Sequence, residues 1–235
     1  MFYIPLGLLF FLAFWFLFAL VVGLIQIGLL QYVFESMGVS RRYMLALLLG
    51  SLLGSYVNIP IMHLPGPTVR TTEVVSFYGV PHVVPVLAHG RGTLLAVNLG
   101  GAVIPFLLSL YLISKHRLFD QSLVAVAVVT FVVHAMARPV QGLGIAVPIF
   151  IPPLVAAFVA VILARWNPAP LAYIAGSLGT LIGADLLNLN KIRQLGAPVA
   201  SIGGAGKFDG IFLTGIVAVL LAGLLGGRRR ARERA

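Results

Sequence analysis

The chain has 235 residues, of which 60% are apolar and only 9% are charged, and its formal net charge is +10. Soluble domains have about a quarter of their residues charged, so this composition excludes a soluble globular protein, and the absence of cysteine excludes disulfides and thiolate metal sites. Five of the 16 basic residues lie in the C-terminal tail, residues 226–235. Such a cluster directly after an apolar segment is typical of a cytoplasmic anchor on anionic lipid and not of a nucleic-acid site. We therefore predict a single integral membrane domain over residues 1–235, with the lipid bilayer as a partner and no nucleic acid.

Seven apolar segments predict an all-α, polytopic membrane bundle of about seven helices. Six of them are close to the roughly 18 residues that cross a bilayer as a helix, and the first is longer and would be tilted. The predicted spans are residues 6–34, 43–57, 93–114, 121–135, 148–164, 171–189 and 209–225. No basic residue precedes the first apolar run, which is too long for a signal peptide, so we expect a retained helix there.

One long connection, residues 58–92, separates the second and third spans. Its centre is rich in β-branched and aromatic residues on both sides of Gly79-Val80-Pro81. That pattern predicts a small extracytoplasmic β-hairpin.

The distribution of basic residues favours one orientation in the membrane. With the arginine tail inside and seven spans, ten basic residues fall on the cytoplasmic side and six on the other, in agreement with the positive-inside rule. We expect a multi-pass protein of the cell's inner (plasma) membrane, with a cytoplasmic C-terminus and an extracytoplasmic N-terminus.

Polar side chains that are unusual in a bilayer fall near the outer ends of the predicted helices. They are Asn58, Arg91, Asn98, His134, Arg138, Asp185, Asn188, Lys207 and Asp209. Because ionisable groups at membrane depth usually face a bundle interior or a wet cavity, we expect these residues to surround one polar site.

Two of the six acidic residues, Asp185 and Asp209, lie at the edges of the last two apolar segments. Small residues at helical spacing in both segments would let the two helices approach closely. The carboxylates would then share a proton and activate water for attack on an amide. The leading prediction is an intramembrane hydrolase of diaspartyl type that acts on membrane-embedded peptides, with Asn98 and Asn188 holding the site and the hairpin edge binding extended substrate.

Each of these residues also has a structural interpretation. Asp209 follows a glycine-rich loop and would cap the N-terminus of a helix. Asp185 would form an ion pair with Arg138 or Lys191. Asn98 and His134 would each form hydrogen bonds between neighbouring helices.

Two other classes of function remain open. In a small transporter or lipid-handling protein, Arg91, Arg138 and Lys207 would bind an anionic ligand while the carboxylates carry protons. The loop Gly203–Gly206 precedes a helix and would bind an anion through its backbone N–H groups. In a membrane assembly subunit, all of the polar helix ends would be structural.

No cofactor and no metal are predicted. The glycine-rich loop lacks the Lys-Ser/Thr pattern of a nucleotide-binding P-loop. The histidines expected on the outer side have no pair with metal-ligand spacing; they are His63, His82, His89 and His134.

Three stretches carry a resemblance to a known family. They read RGTLLAVNLGG (residues 91–101), GTLIGADLLNL (179–189) and GGAGKFDGIFLTG (203–215). They resemble those of a prokaryotic multi-spanning membrane protein family known only as a domain of unknown function, and the likeness covers most of residues 58–225. It implies a membrane fold and no particular activity.

The two aspartate segments are also similar to those of the GxGD intramembrane aspartyl proteases, the presenilin and prepilin peptidases. Those enzymes place one aspartate on each of two helices, with Gly-x-Gly directly before the second. In this chain Lys207 and Phe208 separate Gly204-Ala205-Gly206 from Asp209, and Asp185 follows Gly183-Ala184. The resemblance implies that Asp185 and Asp209 are the catalytic pair.

Overall fold

The structure, a computed structural model, describes residues 15, 23, 26–65, 68–77, 80–89, 92–140, 144–192, 198–204 and 210–232. Within these residues the chain is mostly helical. The helices are α1 (26–36), α2 (Arg41–Gly54), α3 (Ile104–His116), α4 (Phe119–Met136), α5 (Ile151–Leu163), α6 (Pro168–Thr180), α7 (Leu189–Ile192) and α8 (Gly210–Arg232).

Two helices contain π-helical turns, in which one extra residue is accommodated per turn. The turn Leu99–Val103 leads directly into α3. The turn Leu181–Asp185 continues α6, and a 3₁₀ turn, Leu186–Asn188, then joins it to α7. Such irregular turns are frequent at functional sites, and both lie next to polar residues that the sequence singles out.

In the part of the chain that the structure describes, three continuous helical stretches are long and apolar enough to cross a membrane: Leu99–His116, Phe119–Met136 and Pro168–Lys191. Shorter apolar helices cover Arg42–Gly54, Ile151–Leu163 and Gly210–Leu225. The first predicted span, residues 6–34, lies mostly outside the described residues.

Seven short strands form three small sheets within the described residues. The strands are β1 (Asn58–Leu64), β2 (Thr68–Phe77), β3 (Val80–His89), β4 (Thr93–Asn98), β5 (Arg138–Val140), β6 (Gly144–Ala146) and β7 (Val199–Ile202). The antiparallel pair β2–β3, with Phe77 opposite Val80, is the predicted hairpin. In the larger sheet β4 is central, antiparallel to β1 and parallel to β7.

The prediction of an all-α fold with one hairpin was therefore incomplete. Residues 93–98, predicted as the start of the third span, form β4 instead. No residue of β4 is exposed, so both of its faces are covered. Its sequence is therefore almost continuously apolar and looks like that of a helix. At the other end of the chain, the helix predicted to stop at residue 225 continues to Arg232, because arginine is a good helix former.

Helix α6 lies at the centre of the fold, and all of its residues are buried. It contacts α3, α4, α5 and α8. A methyl group on Gly176 would lie 3.3 Å from the Cβ of Ala218 on α8, whereas one on Gly179 would lie 2.6 Å from Val129 on α4. The small residues of α6 thus allow close approach of α4 as well as of α8, whereas the sequence predicts close approach of α8 only.

Candidate functional site

Asn98, the last residue of β4, lies at the centre of one polar cluster. Its side-chain oxygen accepts a hydrogen bond of 2.8 Å from the N–H of Gly101, which caps the π-helical turn. Its amide nitrogen donates to the carbonyl of Ser55 at 2.6 Å and to Oδ1 of Asn58 at 3.1 Å. The side chain is 1% exposed, so these bonds replace the water that it has lost. Asn98 therefore joins the end of α2, the start of β1 and the start of the α3 helix.

The end of α2 packs directly on the π-helical turn before α3. The hydroxyl of Ser51 donates to the carbonyl of Gly100 at 2.9 Å. A side chain at Gly100 would overlap the backbone of α2, at the carbonyl oxygen of Ser51 and the amide nitrogen of Ser55. Glycine is required here because two backbones are in contact.

A second polar cluster surrounds Asn188, which is fully buried. Its amide nitrogen donates to the carbonyls of Gly183 and Ala184 at 2.9 and 3.0 Å, and lies 3.3 Å from Nδ1 of His134 on α4. Its side-chain oxygen accepts a bond of 2.8 Å from Nζ of Lys191. These bonds fix the irregular end of α6 and attach it to α4.

The segment 199–204 connects the two clusters. On one side, the hydroxyl of Ser201 donates to Oδ1 of Asn58 at 2.6 Å. On the other side, the N–H of Gly203 donates to Oδ2 of Asp185 at 2.7 Å. Gly203 has φ +89°, and a methyl group on it would lie 2.5 Å from the amide nitrogen of Ala102, so a side chain is disfavoured on both counts. The sequence predicts that polar residues gather at one end of the bundle. It does not predict β7, the strand that takes part in this cluster.

Asp185 lines a cavity of about 210 Å³ between α5, α6, α8 and the β6–α5 connection. Most of the lining is apolar; Thr180 and Thr214 contribute the other polar side chains. Gly210, the first residue of α8, also lines this cavity. Among the described residues, Asp185 accepts one hydrogen bond, from a backbone N–H, so its carboxylate retains lone pairs for a proton or a ligand there.

The partners of Asp185 and Lys191 differ from those of the alternative interpretation, in which Asp185 forms an ion pair. Within the described part of the chain, Asp185 bonds to Gly203, and Lys191 bonds to Asn188. Arg138 lies on β5 and lines a separate cavity of about 440 Å³. This second cavity shares Val147 and Pro148 with the cavity at Asp185.

Five of the nine predicted site residues lie in two groups. Asn58 and Asn98 form the first group. His134 and Asn188 form the second, and Asp185 precedes Asn188 by three residues in the chain. Arg138 is placed at the neighbouring cavity. Asp209, Arg91 and Lys207 lie outside the described residues. In the part of the chain that is described, no group of three or more His, Asp or Glu residues has the geometry to hold a metal ion.

Sequence reasoning missed several residues of this network: Ser51, Ser55, Ser201, Thr180 and Thr214. Serine and threonine are common in membrane helices, where they bond to nearby carbonyls, so their identity alone gives no signal. The run VASI (199–202), with a β-branched residue at each end and glycine nearby on both sides in the sequence, is the one pattern that indicates a strand here.

Comparison with known proteins gives one family model, which matches residues 52–221 and is described as "Protein of unknown function (DUF1614)". No curated protein and no solved structure matches the chain.

Proposed function

This chain belongs to the family described as Protein of unknown function (DUF1614), and we propose that it is an integral membrane protein whose functional site is the cavity at Asp185. The three long apolar helices support the membrane assignment. We place the protein in the inner membrane, with a cytoplasmic C-terminus and an extracytoplasmic N-terminus, on the basis of its arginine tail.

The function proposed for this site is hydrolysis of membrane-embedded peptides by an aspartate pair, Asp185 and Asp209. One observation carries it: Asp185 and Gly210 line the same cavity, and Gly210 directly follows Asp209 in the chain. Two carboxylates at one cavity would share a proton, one acting as acid while the other activates water.

Two further features support the proposal. The backbone N–H of Gly203 holds Oδ2 of Asp185 in place, as the positioning of a catalytic carboxylate requires. The apolar lining of the cavity suits a substrate segment taken from lipid, and it keeps bulk water away from the reacting amide.

The test is cleavage of a library of membrane-anchored peptides by the purified protein in liposomes. We expect Asp185→Asn and Asp209→Asn each to lower the cleavage rate about a hundredfold or more, the usual contribution of a general acid or base. The substituted side chain has nearly the same shape, so the loss would report on the proton rather than on packing.

Asp120→Asn is the matched control, because Asp120 is exposed in the first turn of α4, at the other end of that helix from His134. It should cleave at the wild-type rate. Equal cleavage by all four proteins, or none by wild type, would rule out the hydrolase.

A second candidate function, movement of a small anion, is favoured by the cavity at Arg138 and its common wall with the cavity at Asp185. Proteoliposomes loaded with inorganic phosphate test it. We expect Arg138→Gln to slow phosphate release about tenfold, since a hydrogen bond to a charged group contributes about 1.5–3 kcal/mol. Arg165→Gln, at the exposed end of the α5–α6 connection, should have no effect. Release no faster than from protein-free liposomes would exclude this function.

A further inference from the structure

We propose that a groove between α2 and α3, at the end of the bundle opposite Asp185, is a binding site for one anionic phospholipid. The inference rests on the proposed membrane insertion but not on hydrolysis. Helices α2 and α3 are antiparallel here: the end of α2 contacts the turn before α3, so the start of α2 lies beside the end of α3. The groove is at that second location.

The walls of the groove are apolar and its volume is about 470 Å³, within the range of about 300–1,000 Å³ that is usual for ligand pockets. Its lining consists of Val39, Tyr43, Ala46, Leu47, Leu107, Leu108 and Tyr111. The lining residues from α2 itself, Tyr43 to Leu47, extend over about one helical turn, or roughly 6 Å. An acyl chain that lies along α2 would therefore bury several methylene groups, each worth about 0.8 kcal/mol.

Among the described residues at this groove, the cationic and hydroxyl groups lie at one end. Lys115 lies in the last turn of α3, one turn beyond Tyr111, and Arg42 is exposed on the first turn of α2 beside Tyr43. Tyr43 and Tyr111 are 67% and 50% exposed, as expected of tyrosines at a membrane interface, where the ring contacts lipid and the hydroxyl contacts head groups. A cationic end on an apolar groove matches a lipid with a negative head group.

Lys115 is held in position for such a head group. Its ammonium donates to the carbonyl of Gly38, in the turn between α1 and α2, and to the hydroxyl of Tyr111 at 3.2 Å. It also lies 5.3 Å from the centre of the Tyr111 ring. An ammonium has three donor hydrogens, so among the described residues one remains for a phosphate oxygen. The hydroxyl of Tyr111 accepts from Lys115, and its own hydrogen has no acceptor among those residues, so it could donate to a second phosphate oxygen.

The neighbouring contacts make this end of the groove rigid. The ring of His116 lies with Nε2 3.0 Å from the carbonyl of Met37. Together with the bond from Lys115 to Gly38, this fixes the α1–α2 turn on the end of α3. A preformed site loses little side-chain entropy when it binds, which favours a retained lipid over an exchanging one.

The experiment uses the full chain in nanodiscs made of equal amounts of phosphatidylglycerol and phosphatidylcholine, followed by native mass spectrometry of the released protein. We expect wild type to retain one phosphatidylglycerol about tenfold more often than phosphatidylcholine, as a charge-assisted hydrogen bond predicts. Lys115→Gln should reduce this preference to near unity. Ala46→Trp, at an exposed position in the groove wall, should abolish retention of either lipid by filling the groove.

Arg165→Gln is the control, since Arg165 is another exposed basic residue at the same end of the bundle. It should leave retention unchanged. An equal loss in Arg165→Gln would assign the preference to general surface charge, and full retention in Ala46→Trp would show that the groove is not used; either result overturns the proposal. Because the readout is bound lipid, it is independent of peptide cleavage, whereas failure of wild type to enter nanodiscs would count against membrane insertion itself.

Discussion

Replacement of Gly100 by alanine should strongly destabilise the folded protein. The added methyl group would overlap the Ser51 carbonyl and the Ser55 amide, which are hydrogen-bonded to each other in the last turn of α2 at 2.9 Å. Neither group can rotate away, because both belong to the backbone. Overpacking of a core usually costs about 1–3 kcal/mol and sometimes more; with two backbones in contact, we expect about 3 kcal/mol or more. The measurement is the denaturation midpoint of purified protein in detergent, followed by circular dichroism.

Gly50→Ala provides a control in the same pair of helices. A methyl group there would lie 3.4 Å from Cδ1 of Ile104, the end of a flexible side chain. Alanine is also favoured over glycine inside a helix by about 0.5–1 kcal/mol, so Gly50→Ala should leave the midpoint unchanged or raise it. A similar fall in both variants would mean that α2 does not pack on the turn before α3 as described.

Asn98→Ala should produce the second large loss of stability. It would leave the N–H of Gly101 and the carbonyl of Ser55 without their partner, and would remove one of the bonds to Asn58. Each buried polar group that loses its partner costs about 1–3 kcal/mol, so we expect about 3 kcal/mol in total. The same denaturation experiment measures it.

Asn190→Ala is the matched substitution for this test, because Asn190 is exposed on α7. Substitutions at exposed positions away from caps and buried networks usually have little effect. A midpoint for Asn98→Ala equal to that of Asn190→Ala would contradict a structural role for the Asn98 cluster. The side chain of Asn98 is occupied by Ser55, Asn58 and Gly101, so a large loss for Asn98→Ala would support a structural role for this residue rather than contact with a substrate.

Helices α4, α5 and α6 were predictable from the sequence because apolar runs of that length have few other solutions in a membrane. Strand β4 was not. Its residues TLLAVN are apolar enough to extend the helix that follows, and only pairing with β1 and β7, distant in sequence, selects the strand. Non-local pairing leaves little trace in a local pattern of six residues.

The location of the candidate site was also partly predictable. Ionisable and amide side chains in apolar segments are costly, so Asp185, Asn98 and Asn188 stand out in the sequence. Their partners do not: Asn98 bonds to a carbonyl of α2, and Asp185 bonds to the N–H of a glycine. Backbone groups are identical at every residue, which is why the sequence predicts where polar side chains gather but not what each one contacts.

The short helices have a consequence for the surrounding lipid. At about 1.5 Å per residue, the 14 residues of α2 and the 13 of α5 extend roughly 20 Å, against a hydrocarbon thickness of about 30 Å. In a membrane, acyl chains beside α2 and α5 must therefore shorten or tilt to match this hydrophobic length. The β1–β4–β7 sheet and the cavity at Asp185 adjoin these helices, so the thinned lipid would bring head groups and water down to the level of the polar residues.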